Sequence, residues 1–269
     1  MISSVLLIEV YKSMSIEITK RGHVKSIEKV LHNYSFIDIE VDLQSKPEPG
    51  QFIMIQTTGT SEIPMAIMDY QNGILKIGNK SVGKSTERLL HITKNDEILV
   101  RGPYGTFFNT EKSKHIIAIA GGIGLTPIYM LAKERKKKNL LTDVYLAFRT
   151  KKEKVLQSLF SDIAHVTNIY IDEIDSDISD SIYKILKIKK HNLLVTSGPE
   201  GFMKNIYNIC KKVNFPSQYS IERYMRCGIG ICGSCIIDGD DISLRLCIEG
   251  PVVEFDVLSK LTDFGELHY

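Results

Sequence analysis

The sequence predicts a multidomain chain of β and α/β architecture: an antiparallel β-barrel, a parallel-sheet α/β domain and a small cysteine-containing C-terminal domain. Three observations indicate this organisation. Residues 21–108 contain short strands separated by turns, residues 109–214 alternate strands with helices, and residues 215–269 contain four closely spaced cysteines. A chain of 269 residues is long enough for two domains and a small appendage.

The barrel is predicted from apolar and polar residues that alternate with a period of two. Residues 1–20 have weak periodicity and are predicted to form an N-terminal arm or an extra edge strand. Apolar and acidic residues alternate over residues 37–42, as in a half-buried strand. Asn72 and Gly73 separate two apolar stretches and predict a hairpin. Strands this short and regular favour an antiparallel barrel over residues 21–108.

Two segments interrupt the barrel pattern. One is Ile63-Pro64-Met65-Ala66, which follows a polar turn, and the other is Gly83-Lys84-Ser85-Thr86, which is predicted to lead into a short helix at Glu87. The amides and hydroxyls at a helix N-terminus can bind a phosphate. Ser and Thr at this position also serve as ordinary helix caps. The residues alone leave both interpretations open.

The α/β domain begins with the apolar strand 116–120 and the glycine loop 121–127. The next helix is predicted to start with Thr126 as N-cap and Pro127 in its first turn. A second glycine loop, at residues 197–199, follows a later apolar strand. The first loop lacks the G-x-G-x-x-G pattern of the dinucleotide fold. Each loop is therefore either a nucleotide phosphate site or a tight turn.

The C-terminal cysteines carry the most specific pattern in the chain. Cys227, Cys232, Cys235 and Cys247 have the spacing C-x4-C-x2-C-x11-C. This is the plant-type spacing of the thiolates around a 2Fe-2S cluster. Disulfides are disfavoured because reduced, closely spaced cysteines usually bind metal. Structural zinc is the main alternative, although it usually requires two short Cys pairs.

Composition excludes several classes of function. The net charge of +2 gives no reason to expect nucleic acid, and the sequence has no stretch of transmembrane length. We therefore expect a cytoplasmic protein that binds neither nucleic acid nor membrane. The seven His show no metal-ligand spacing, and Cys210 is predicted to lie in the core of a helix.

With these motifs in place, the barrel and α/β domain resemble the ferredoxin–NADP reductase superfamily. The tail from Glu222 to Cys235, together with Cys247 to Pro251, narrows the resemblance to the electron-transfer subunits of class 1B dihydroorotate dehydrogenase, over about residues 20–260. The resemblance implies FAD in the barrel, NAD(P) as a candidate acceptor at the α/β domain, and one 2Fe-2S cluster. It also implies a catalytic partner that contains FMN, in a heterotetramer of two copies of each subunit that functions in pyrimidine biosynthesis.

The resemblance also assigns candidate site residues, none of them catalytic. The cluster ligands are the four cysteines named above. The FAD segments fall on Ile63, Pro64, Met65, Ala66, Gly78, Asn79, Lys80, Ser85 and Thr86, with Ile63 and Ala66 replacing the family's Arg and Ser. The nucleotide segments fall on Gly121, Gly122, Gly124, Thr126, Pro127, Ser197, Gly198 and Pro199, with Ser197 replacing the usual Cys.

Two alternatives to this function remain at the level of the sequence. One is a flavin and iron–sulfur subunit of another complex, of the sulfhydrogenase or NADH-dependent ferredoxin–NADP oxidoreductase type. The other is a non-catalytic scaffold in which the cysteines hold zinc.

Overall fold

A computed structural model describes residues 19–172, 174, 178–188 and 190–265. The arm or edge strand predicted for residues 1–20 lies almost wholly outside these residues. Among the helices of the described part, none combines the length and the hydropathy needed to cross a bilayer.

The first domain is a closed antiparallel barrel of six strands with one short helix, which confirms the predicted barrel. Its elements are β1 (Lys20–Leu31), β2 (Tyr34–Glu40), β3 (Phe52–Thr57), β4 (Ile63–Gln71), β5 (Ile74–Lys80), α1 (Lys84–Leu90) and β6 (Glu97–Tyr104). The strands follow the order β1-β2-β5-β4-β3-β6 around the barrel. Asn72 and Gly73 both have positive φ, 52° and 75°, and form the predicted hairpin between β4 and β5.

Two local predictions in the barrel are wrong. Residues 63–66 do not interrupt the strand pattern, because they form the start of β4 and pair with residues 52–55 of β3. Ser85 and Thr86 lie inside α1 rather than in a loop before it. The helix begins at Lys84 because the Thr86 hydroxyl accepts hydrogen bonds from the Val82 and Gly83 amides, at 2.9 and 3.0 Å.

The second domain alternates strands and helices around a parallel sheet, as predicted. Its elements are β7 (His115–Gly121), α2 (Leu125–Lys137), β8 (Leu141–Phe148), β9 (Val166–Ile171), α3 (Ile178–Lys187), β10 (Leu193–Ser197) and α4 (Glu200–Val213), with 3₁₀ segments at Gly122–Gly124 and Lys151–Phe160. β7, β8 and β10 are almost fully buried, as expected when helices cover both faces, whereas the edge strand β9 is mostly half-buried. Cys210 of α4 is fully buried, which confirms its prediction as a core residue.

The sheet continues past the boundary predicted at residue 214. The C-terminal elements are β11 (Ser217–Ser220), β12 (Ile236–Asp238), β13 (Ser243–Arg245), β14 (Val252–Glu254) and α5 (Phe255–Leu258). The sheet order is β14-β11-β10-β7-β8-β9, in which only β14 is antiparallel to its neighbour. The segment that carries the cysteines is therefore tied to the α/β sheet at both of its ends.

A buried hydrogen-bond network joins the barrel to the α/β domain. Glu153, near the start of the second 3₁₀ segment, accepts a hydrogen bond from the Tyr34 hydroxyl at 3.1 Å and pairs with Lys80 Nζ at 3.4 Å. Burial acts to raise the pKa of Glu153, but the charge of Lys80 and the hydrogen bonds outweigh burial and lower this pKa. The carboxylate is therefore charged at neutral pH and holds β2 and β5 against the second domain.

Arg135 of α2 is a second buried centre of hydrogen bonds. Its side chain donates to the Thr142 hydroxyl and to the backbone carbonyls of Thr110, Ser113, Lys114 and Leu141, at 2.8 to 3.3 Å. Burial lowers the pKa of Arg135 to about 10, so the guanidinium remains charged at neutral pH. One side chain thus connects the interdomain linker to the start of β8.

Replacing Arg135 with Met is expected to lower the free energy of unfolding by about 3–5 kcal/mol, because the buried carbonyls lose their donor. The control is Arg21→Met, since Arg21 is exposed and makes one ion pair with Glu97. That variant should lose at most about 1 kcal/mol. Denaturant unfolding monitored by circular dichroism would measure both. Equal losses would contradict the role given to Arg135.

Candidate functional site

The first three cysteines lie in one tight loop, and the fourth follows β13. Gly228, Gly230 and Gly233 all have positive φ, at 73°, 78° and 72°. A side chain at Gly228 would collide with Met54, and one at Gly230 with Ile248, with Cβ distances of 2.9 and 2.8 Å. Glycine is therefore required both by the backbone conformation and by the close packing of the loop.

Backbone amides point at the sulfurs. Gly230 N donates to Cys247 Sγ at 3.1 Å, and Cys232 N donates to Cys227 Sγ at 3.4 Å. Amide hydrogen bonds of this kind stabilise thiolates and set the reduction potential of an iron–sulfur cluster. The loop therefore fits a cluster that carries negative charge.

The four thiols divide into a buried and a more exposed pair. Cys235 and Cys247 are buried, Cys227 is partly exposed and Cys232 is exposed. Burial raises the pKa of Cys247 to about 12, and the neighbouring Cys235 adds to this effect. Hydrogen bonds with Ser234 instead lower the pKa of Cys232 to about 6. Deprotonation of Cys247 therefore has to accompany metal binding.

Arg101 of β6 anchors the cysteine loop to the barrel. Its Nη2 donates to the Cys227 carbonyl at 2.9 Å, and its Nε donates to Glu62 at 2.7 Å. Glu62 directly precedes residues 63–66 at the start of β4. The loop and the predicted flavin segment are therefore linked through one guanidinium.

Arg223 anchors the loop to the α/β domain. Its Nε lies 2.8 Å from Glu200 Oε1; Glu200 is buried and the side chain of Arg223 is only 11% exposed. Glu200 is the first residue of α4, directly after the second glycine loop. The cysteine segment is thus fixed to both domains.

The two predicted nucleotide loops converge at the carboxyl ends of β7 and β10. An ideal Cβ on Gly124 would lie within 2.6 Å of Gly198 N, and one on Gly198 within 3.0 Å of Gly121. Ligands bind at this edge in open α/β sheets. At these points the backbone of one glycine loop lies directly against the backbone of the other, so the two loops together form one surface.

Within this surface, the predicted start of α2 is wrong by two residues. The helix begins at Leu125, because the 3₁₀ turn before it leads directly into the helix. Thr126 is consequently buried inside the helix, and its hydroxyl donates to the Ile123 carbonyl at 2.9 Å instead of capping. Pro127 and Ser197 are also buried, whereas Pro199 is exposed.

The predicted flavin residues lie on β4, β5 and α1 at one side of the barrel. Asn79 Nδ2 donates to the Thr86 carbonyl at 3.1 Å, and Ser85 Oγ donates to the Ser61 carbonyl at 3.2 Å. Asn79 Oδ1 is buried and has no hydrogen-bond partner among the described residues. These contacts bring α1, β5 and the start of β4 together.

Two of the predicted flavin residues contribute to the barrel core. Met65 belongs to this core and the partly buried Ile63 packs against it, because the alternation of β4 directs both side chains to the same face. Ala66 directly precedes Ile67 and Gly78 directly follows Ile77, and Ile67 and Ile77 form the last pair between β4 and β5 at this end of the strands. An ideal Cβ on Gly78 would lie 2.7 Å from Thr126 Oγ1, so the barrel backbone approaches the first glycine loop at this point. The small residues Ala66 and Gly78 fit a planar flavin ring that backbone groups hold.

Sequence reasoning did not identify Arg101, Arg223 or Glu153 as site residues. Each contacts its partner across a large separation in sequence, 126 residues in the case of Arg101 and Cys227. The only local signal for Arg101 was its position directly before Gly-Pro-Tyr-Gly, where the strand turns.

Comparison with known families agrees with this geometry. Residues 222–259 match the family described as the iron–sulfur cluster binding domain of dihydroorotate dehydrogenase B. This range contains all four cysteines and the glycines between them.

Relatives of similar length extend the similarity to most of the chain. The chain is 35% identical over 230 residues to a probable dihydroorotate dehydrogenase B (NAD(+)), electron transfer subunit, of Methanocaldococcus jannaschii, covering 84% of this chain and 86% of the relative. It is 36% identical over 227 residues to the protein of the same description from Pyrococcus furiosus, covering 81% and 83%. An NADH-dependent reduced ferredoxin–NADP oxidoreductase structure has the same fold, with a TM-score of 0.79, 23% identity, and coverage of 91% of this chain and 94% of that one.

Proposed function

The chain belongs to the family of dihydroorotate dehydrogenase B electron transfer subunits, and we propose that it carries electrons between a subunit that oxidises dihydroorotate and a pyridine nucleotide, as part of pyrimidine biosynthesis. The observation that carries this proposal is the glycine-rich loop with its four cysteines, which matches the family's cluster domain. A bound 2Fe-2S cluster would supply one-electron transfer, and bound FAD would exchange single electrons for hydride pairs.

The residues of this chain hold and tune the cluster. Cys227, Cys232, Cys235 and Cys247 would ligate it. The amides of Gly230 and Cys232 donate to sulfur and thereby stabilise negative charge. Arg101 holds the loop through the Cys227 carbonyl, so the cluster position is fixed relative to the barrel.

FAD would lie on the surface formed by β4, β5 and α1. Pro64, Ala66, Gly78, Asn79 and the first turn of α1, with Ser85 and Thr86, would line it. Ile63 and Met65 support this surface from the barrel core, and Lys80 supports it through Glu153. Because no arginine occupies position 63, the phosphates would be held by backbone groups and hydroxyls instead of a bidentate fork.

The nucleotide would bind where the two glycine loops meet. Gly121, Gly122, Gly124, Gly198 and Pro199 offer backbone at close approach, and Thr126, Pro127 and Ser197 hold that backbone in place. No side chain acts as a catalytic acid or base in this scheme.

The partner surface would include the exposed half of the cluster loop. Large apolar side chains are exposed around it at Tyr224, Ile229, Ile231, Ile236 and Ile248. Exposed apolar groups concentrated next to one site mark a protein interface. The partner would be an FMN-containing catalytic subunit in a heterotetramer of two copies each, located in the cytoplasm.

Anaerobic purification with the catalytic subunit of the same organism tests the proposal. We expect about two irons and one FAD per copy of this chain, and reduction of NAD by dihydroorotate. Separate titrations of the isolated chain with NADH and NADPH would identify the nucleotide that reduces the flavin. A complex with zinc but no iron, or one that cannot pass electrons from dihydroorotate to any nucleotide, would refute the proposal. A partner other than a dihydroorotate-oxidising subunit would instead favour the ferredoxin–NADP oxidoreductase or sulfhydrogenase alternative.

A further inference from the structure

Three histidines surround one buried aspartate at the edge of the sheet opposite the glycine loops. Asp143 lies near the start of β8, and His115 starts β7. His165 directly precedes β9, and His191 lies two residues before β10. The carboxylate oxygens lie 3.0 Å from His115 Nε2, 2.7 Å from His165 Nδ1 and 2.8 Å from His191 Nε2. The parallel register of β7, β8, β9 and β10 brings the starts of these four strands together.

Three of these residues converge as metal ligands do. The donor atoms of His115, Asp143 and His191 all lie within 4.8 Å of one another, and all three residues are buried. This is the only such group of three among the residues that the structure describes. Imidazole nitrogens with a carboxylate oxygen form a donor set typical of zinc.

Hydrogen bonding alone does not satisfy this cluster. His115 Nε2 lies close to the carboxylate but is buried without a hydrogen bond among the described residues, and so is His191 Nδ1. The Asp143 carboxylate is itself buried, and the nearby lysine, Lys190, lies 3.6 Å away with its side chain half exposed. Buried anions are normally paired with cations or bound to metal ions. A divalent cation would pair with the buried carboxylate and would accept the lone pair of His115 Nε2.

We propose that His115, Asp143 and His191 bind a zinc ion, with His165 or a water as the fourth ligand. The present donor separations are slightly shorter than the about 3.3 Å expected between tetrahedral ligands at about 2.0 Å from zinc, so the ion requires shifts of a few tenths of an ångström. The side chain of His165 is 41% exposed, which gives the ion a path from solvent. Lys190 would have to swing outward, which its exposed position allows.

The ion would have a structural role. It would join β7, β8 and β10 at their amino ends, whereas the glycine loops occupy their carboxyl ends. The site is therefore separate from the cluster, and its ligands contain no sulfur. This difference makes the two metals distinguishable in one sample.

Elemental analysis of the holoprotein, after incubation with zinc and gel filtration, tests the inference together with zinc X-ray absorption. We expect roughly one zinc beside about two irons per chain, with nitrogen and oxygen ligands at about 2.0 Å and no sulfur at about 2.3 Å. Chelation should lower the melting temperature while the iron remains. Absence of zinc from iron-loaded protein, or sulfur ligation of the zinc, would overturn the inference.

His191→Gln is the matched variant, because an amide can still hydrogen-bond to Asp143. It should lose the zinc and keep its iron. His23→Gln changes an exposed histidine on β1 and should keep both metals. Retention of zinc by His191→Gln would also overturn the site. If this variant does not fold, the absorption spectrum of the wild-type zinc decides between nitrogen and sulfur ligands.

Discussion

Replacing Cys247 with Ala is expected to abolish electron passage from dihydroorotate to NAD. Cys247 is buried, and its sulfur accepts a hydrogen bond from Gly230 in the cysteine loop. Its loss removes one of four proposed cluster ligands and the contact that closes the loop on β13. Loss of an outer hydrogen-bonding partner of a metal ligand costs about 10–100-fold, so loss of the ligand should cost more than about 100-fold. Iron content and nucleotide reduction by the purified complex would measure the effect.

Cys210→Ala provides the matched control for this prediction. Cys210 is also a buried cysteine, but it lies in the core on α4 and outside the cluster loop. The variant should keep about two irons and its electron transfer. Dihydroorotate oxidation with an artificial acceptor should persist in both variants, since that reaction would occur on the partner. Full NAD reduction by Cys247→Ala would show that electrons reach the nucleotide without the cluster.

The parts of the fold that the sequence predicted are those with local signals. Alternating residues at 37–42 identified a barrel strand, and Asn72-Gly73 identified its hairpin, because both depend on neighbouring residues. The cysteine spacing pointed to the iron–sulfur binding domain for the same reason, since three of the four proposed ligands share one loop. The glycine loops were located correctly, but the start of α2 was not, because the 3₁₀ turn before it has no distinct sequence signal.

The features that sequence reasoning missed depend on the register between strands. His115, Asp143, His165 and His191 lie far apart along the chain, and only the parallel sheet aligns the starts of their strands. Spacing rules for metal ligands therefore could not find them, although all four lie at or near the start of a predicted strand. β11 and β14 were missed as members of the sheet because they are short and follow the last clear helix. Tertiary contacts set the pairing of β11 with β10 and of β14 with β11.

The glycine loops give the second large prediction, Gly124→Ala. The backbone of Gly124 is helical, with φ of −57°, so alanine is acceptable for the conformation itself. The obstacle is space, because the new Cβ would lie 2.5 Å from the Ser197 carbonyl carbon and 2.6 Å from Gly198 N. Both neighbours are backbone atoms, so the two loops have to separate. A misplacement of about 1 Å can cost about 100-fold in rate, and we expect flavin reduction by NADH to fall by about 10–100-fold.

Gly201→Ala separates this effect from a general loss of stability. Gly201 lies in the first turn of α4, two residues after the second loop, and a Cβ there has no neighbour within 4 Å. It should reduce flavin at the wild-type rate, and both variants should keep their iron and FAD. Stopped-flow reduction by NADH, with iron and flavin contents measured on the same samples, would compare them. An unchanged rate in Gly124→Ala would place the nucleotide elsewhere, because the contact between the loops cannot survive a methyl group at this position. If Gly124→Ala loses flavin reduction by NADH while its cluster stays intact, electrons leave the protein at the edge of the sheet where the loops meet.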